Sequence, residues 1–135
     1  MKVYMMRVDS ETGTVYKGYI GEIENSLKAK QKYVGGLIQV FPLNDDIDII
    51  CNDEGKLEHL PLNRAFVEDG KVLDVFVGNI LAVRHTPDGD FTSIQEEDIP
   101  VIEKFLLPIR DIQGNVVILR SADALEQYLG KKDLF

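Results

Sequence analysis

Apolar residues in this chain come in short runs, and turn-forming residues separate the runs at close intervals. Met1–Val8 is apolar and partly alternating, Asp9-Ser10-Glu11-Thr12-Gly13 is polar, and Thr14–Ile20 resumes with Val, Tyr and Ile. That pattern predicts a β-hairpin with a loop longer than two residues. Asn25 or Ser26 can cap a short helix to about Tyr33, with Gly35 or Gly36 ending it. Its weak amphipathicity, with Lys30 or Gln31 between Leu27 and Val34, predicts a helix lying on a sheet rather than entering the core.

The middle of the chain reads as strands. Leu37–Val40 runs to Phe41 and stops at Pro42; Asn44-Asp45-Asp46 turns the chain into Ile47–Cys51. Asn52–Gly55 is a turn in which Gly55 is expected to supply positive φ, and Pro61–Arg64 reads as an ordered loop. After Asp69-Gly70, Val72–Arg84 alternates imperfectly, and Gly78-Asn79 near its middle predicts a bulge or a close backbone approach. Pro87-Asp88-Gly89 turns back into Phe91. Capping boxes at Thr92-x-x-Gln95 or Ser93-x-x-Glu96 predict a helix to about Leu106, with Pro100 in the first turn of a main segment starting near Asp98. Gly114-Asn115 marks a last hairpin, and Ser121 caps a last helix from Ala122 to about Leu129.

Helices that stand apart instead of alternating with strands argue against a doubly wound sheet. The expected fold is α+β: a mostly antiparallel, twisted sheet of hairpins with two or three helices packed on it. At 135 residues and 44% hydrophobic content the chain fits one domain, 1–135, able to build a core without staples. The lone Cys51, in an apolar run with Asp48 and Asp53 nearby, reads as a buried, inert thiol. No apolar stretch suits a membrane span and the N-terminus lacks a secretory pattern, so a cytoplasmic protein is expected. Fifteen basic and 23 acidic residues give a net charge of −8, which disfavours direct nucleic-acid binding but leaves room for a local anion pocket.

Catalytic chemistry finds little footing. His59, His85 and Cys51 lack metal-ligand spacing, the acidic clusters around Asp45 and Glu97 do not match a calcium loop, and phosphate-cradling glycine motifs and nucleophile elbows are missing. The strongest chemical candidate is Leu60-Pro61-Leu62-Asn63-Arg64, where a polar pair sits among apolar residues. Arg offers a planar fork for phosphate or carboxylate, and Asn both donates and accepts. Two readings stand: Asn63 and Arg64 line a small anion site with Lys56, and Arg84 as a weaker member; or Asn63 bonds a neighbouring turn while Arg64 pairs with an acidic loop such as Asp53-Glu54.

Tyr33-Val34-Gly35-Gly36, Ile38-Gln39-Val40-Phe41-Pro42-Leu43, Asn52-Asp53-Glu54-Gly55-Lys56, Leu60-Pro61-Leu62-Asn63-Arg64, Asp74-Val75-Phe76-Val77-Gly78-Asn79 and Asp90-Phe91-Thr92-Ser93 recur in this order and spacing in a known family. On them the chain resembles DUF3846, a domain of unknown function of phages, plasmids and conjugative elements of Gram-positive bacteria. The resemblance covers about residues 23–106. Residues 107–135, a hairpin and a helix, look like an extension, and Lys30 stands where the family tends to carry an apolar residue.

The resemblance implies a mobile-element protein with no known catalytic residues. Joined to the polar set, it leads to the expectation of a non-catalytic, cofactor-free, homo-oligomeric protein of the host bacterial cytoplasm. Such a protein counters defence by sequestering a small nucleotide-type signal. Its partner is then a small anionic ligand or a host defence protein. The alternatives are an acidic inhibitor that imitates DNA to occupy a nucleic-acid enzyme, and a small enzyme acting on a nucleotide.

Overall fold

The computed structural model describes residues 1–119, and the helix expected from Ser121 lies outside the described residues. The chain runs β1 (Lys2–Met6), β2 (Tyr19–Glu22), α1 (Leu27–Val34), β3 (Ile38–Pro42), β4 (Ile47–Asn52), β5 (Leu62–Glu68), β6 (Lys71–Val77), β7 (Ile80–His85), β8 (Phe91–Thr92), a 3-10 turn (Glu96–Asp98), α2 (Ile99–Phe105), β9 (Leu106–Ile112) and β10 (Asn115–Ile118). All recorded strand pairs are antiparallel, as the hairpin chemistry requires. The α+β expectation therefore holds, with one difference: the strands form two sheets, ordered β2-β1-β7-β4-β3 with β8 on β7, and β10-β9-β5-β6.

The first sheet is buried on both faces, which explains why β4 has no exposed position. Ile47, Ile49 and Cys51 point with Tyr4, Met6, Ile80 and Ala82 toward Phe76, Ile102 and Leu106 of the second layer. Ile50 points the other way with Val3, Met5, Leu81 and Val83, beneath Val34 of α1. The period of two along each strand thus fills two cores at once. α1 lies on the sheet as expected. Ser26 caps it by accepting from Ala29 N–H, Val34 packs inward, and Leu27 stays in solvent. Lys30 on the inner face is held by Asn25 Oδ1 at 2.8 Å and lies over the Phe91 ring.

Four sequence expectations are corrected. Gly55 does not have positive φ; a Cβ there would lie 2.9 Å from Val77 Cγ2, so the glycine serves close packing. Val72–Arg84 is not one bulged strand. Gly78, at φ 73, reverses the chain between β6 in the second sheet and β7 in the first. Pro61–Arg64 is not a loop: from Leu62 onward it is β5, with an irregularity between Leu62 and Arg64. The capping box is Gln95 with Asp98, while Ser93 Oγ accepts from Lys2 N–H instead. The hairpin 106–118 pairs through β9 with β5, so it is a structural part of the second sheet.

α2 spans the seam between the sheets, and Ile102 has no exposed surface. Truncating Ile102 to Ala is expected to destabilise the fold by about 2–5 kcal/mol, read as a lower urea midpoint with an unchanged slope.

Candidate functional site

In a regular strand, neighbouring residues face opposite sides, yet Asn63, Arg64 and Ala65 are all buried. The bulge explains this. Leu62 pairs with Val77 and Arg64 with the next residue, Phe76, leaving Asn63 unopposed and its side chain re-aimed inward. Asn63 Nδ2 donates to Met6 O at 2.9 Å and to Gly78 O at 2.7 Å. Its Oδ1 accepts from Arg64 Nη1 at 2.7 Å. The carboxamide therefore ties β5 to both β1 and the crossover turn, where strand ends would otherwise leave carbonyls bare.

Arg64 is only 4% exposed. Beyond Asn63, its Nη2 donates to Tyr16 O at 2.8 Å. Among the described residues no carboxylate lies within ion-pair distance of it. A buried cation is costly without an opposite charge. Desolvation accordingly pushes its pKa down to about 10, against upward pulls from Tyr4, Glu103 and Tyr33. The expected pairing with Asp53-Glu54 does not form.

Beside Arg64 lies a cleft of about 290 Å³. One wall is apolar, made by Met6, Ile102, Leu106, Leu107 and Pro108. The polar wall holds Lys17, Tyr4 and Glu103, with Tyr4 Oη donating to Glu103 Oε2 at 2.5 Å. Burial, then the bond and charge of Glu103, raise the Tyr4 pKa. Gly18 lines the cleft by necessity: a Cβ there would fall 2.3 Å from Tyr4 Cζ, far inside van der Waals contact.

The proposed set does not come together as one cluster. Lys56 pairs with Asp74 at 2.8 Å over a separate, smaller cleft of about 120 Å³ on whose wall Cys51 lies. Both members of that pair are substantially exposed, so it contributes little. Cys51 is buried, and burial first, then Asp53 and Asp74, push its thiol up to about 11, in line with an inert role. Arg84 makes two bonds to buried Asp98, 2.7 Å through Nε and 2.8 Å through Nη2. Each of these cations pairs with a carboxylate, whereas among the described residues Arg64 pairs with none. The bulge leaves Asn63 bonded to the Gly78 turn, as the second reading expected, and places Arg64 at a cleft without the acidic-loop partner that reading gave it.

Tyr4, Gly18 and Glu103 were not singled out from sequence. No linear spacing joins positions 4, 18, 64 and 103; the one available signal was Glu103 next to an apolar helix position. Among the described residues, no group of three or more His, Cys, Asp or Glu could hold a metal, and no helix is long and apolar enough to cross a membrane.

The Asn63-Arg64 strand, its bulge and the Gly78 crossover lie inside the stretch, residues 1–107, that matches the family model of the domain of unknown function DUF3846. The chain belongs to this family. The match extends the expected span from residue 23 back to residue 1, taking in β1, which supplies Tyr4 and Met6 O, and it ends at the start of β9. A search of curated proteins and a search of solved structures gave no match.

Asn63→Ala strands Met6 O, Gly78 O and the Arg64 Nη1 in the interior, and a loss of about 3 kcal/mol is expected in chemical denaturation. For Asp98, desolvation raises the pKa but the bonds from Arg84 and Gln95 N–H outweigh it, leaving a carboxyl below its usual value. A depressed carboxyl stabilises the fold above its unfolded pKa of about 4 and loses that contribution as pH falls further. Asp98→Asn should therefore be less stable than wild type at pH 7, with the gap narrowing toward pH 3. A gap independent of pH would mean that the Arg84 pair is not the source.

Proposed function

We propose that this protein binds a small anionic ligand of nucleotide type in the cleft beside Arg64 and holds it without transforming it. The observation that carries the reading is a buried guanidinium bonded to neutral oxygens and bordering open space. A phosphate or carboxylate would supply the opposite charge that none of the described residues supplies at contact range, as a charge-assisted bond. The cleft volume of about 290 Å³ is near the lower end for small-molecule pockets. Its apolar lining suits a flat ring, and Tyr4 Oη and Glu103, whose mutual bond uses the tyrosine proton, offer acceptors to the N–H or O–H groups of a base or sugar.

Retention rather than turnover fits the titration of the wall. General acid–base work favours groups poised near neutral pH. Tyr4 is instead shifted further up, and Arg64 titrates at about 10. The wider role, sequestration of a defence signal in a bacterial cytoplasm by a phage-borne homo-oligomer, rests on the family resemblance. It is also supported by the position of β10 at an open sheet edge with Val116, Val117 and Ile118 exposed. The DNA-imitation alternative is less well supported: Asp45, Asp53, Asp69, Asp88 and Glu97 lie in separate connections between elements or in the 3-10 turn rather than in a row along one element.

The test is a melting-temperature screen of the full chain against mono-, di- and cyclic nucleotides, with the products checked by mass spectrometry. At least one member should raise the midpoint and be recovered unchanged. Arg64→Met, which removes the charge at similar volume, and Leu107→Trp, which fills the cleft, should both abolish the rise while remaining folded. No shift with any nucleotide, or a shift that survives both substitutions, defeats the proposal. Recovery of a converted product would make the protein an enzyme instead.

A further inference from the structure

Outside the lining of the Arg64 cleft but within electrostatic reach of Arg64, Tyr33 near the end of α1 carries a hydroxyl that is buried and has no hydrogen-bond partner. Buried polar atoms are nearly always paired, and each exception asks for an explanation. Tyr33 borders an open groove of about 550 Å³ between α1 and the β1–β2 hairpin. Met5 and Tyr19 supply apolar surface there; Arg7, Lys32 and Asn79 supply donors. Among the described residues neither Arg7 nor Lys32 has an ion-pair partner. Asn79 Oδ1 already accepts from Val8 N–H, so the rest of its amide can only donate. The one carboxylate on the groove, Glu24, accepts from Ser26 Oγ.

The groove is thus rich in donors and poor in acceptors, next to a hydroxyl in need of one. We propose that it is a second ligand site, taking a small ring-bearing oxyanion whose charge is met by Arg7 and Lys32 and whose oxygen accepts from Tyr33 after a side-chain shift that uncovers its buried hydroxyl. The ring lies against Met5 and Tyr19. Phosphate and carboxylate share this chemistry, and the probes below separate them.

The experiment titrates the 15N-labelled full chain with phenyl phosphate and, separately, with benzoate, following backbone amides. At least one probe should shift Arg7, Lys32 and Tyr33 in a saturable way, and the tighter of the two identifies the oxyanion. Tyr33→Phe and Arg7→Gln should each weaken that binding about tenfold or more. Arg64→Met, which removes a charge that acts on Tyr33 only at a distance, should weaken it by less than about threefold, so that this site and the Arg64 cleft stand or fall separately. Tyr33→Phe should also leave the melting temperature of the free protein equal or higher, because deleting an unpaired buried hydroxyl removes a cost. Three results overturn the proposal: neither probe shifts these amides; Tyr33→Phe binds as wild type; or Tyr33→Phe lowers the melting temperature of the free protein, which would mean that the hydroxyl serves the fold.

Discussion

One carboxamide sets the relation between the two sheets. Asn63 comes from the second sheet but gives both its N–H groups to carbonyls of the first sheet and of the turn leading into it. Hydrophobic burial drives the layers together but is non-directional and does not fix their register. A fully paired polar group in a low-dielectric interior does, because every misaligned packing leaves two carbonyls and an amide without partners. The bulge that aims Asn63 inward and the Gly78 reversal that brings β7 back into the first sheet are two halves of the same device. Removing either would separate the amide from its carbonyls.

The same device creates the chemical opportunity. Because the bulge breaks the alternation, Arg64 follows Asn63 inward. Asn63 Oδ1 and Tyr16 O then orient the guanidinium without neutralising it. Glu103 would be the natural counter-ion, but it lies beyond ion-pair distance of Arg64 and its carboxylate accepts from Tyr4. An arginine needed only for packing could be replaced by a hydrophobic residue at little cost or even with gain. An arginine kept charged, oriented and without a carboxylate at contact range among the described residues is the observation on which the proposed anion site rests.

Local chemistry was legible in the sequence and long-range pairing was not. The hairpin turn at Asp69-Gly70, the Ser26 cap and the Asn44 turn were readable because each is decided within a few residues. Leu62–Arg64 was misread because a polar pair after proline resembles a loop, and the bulge that hides it in a strand depends on Phe76 and Val77, more than ten positions away. Lys56 and Arg84 looked like members of the Arg64 site because cations look alike in one dimension. Only the fold reveals that Asp74 and Asp98 had already claimed them. Tyr33 carried no sequence signal as a donor, since its isolation follows from what the neighbouring strands fail to offer.

The chain's charge of −8 bears on what these cationic features can select. At physiological ionic strength, screening acts over about 8 Å. A polymeric anion must bring many phosphates within that distance of the surface and meets the acidic turns across a wide area. A small anion enters one cleft and experiences mainly the groups that line it. Arg64, and Arg7 with Lys32 at the Tyr33 groove, are cations that no carboxylate of the described residues cancels at contact range. Under the proposed function, the acidic exterior and the buried or grooved cations would act together as a size filter, favouring a small anion over a polymeric one.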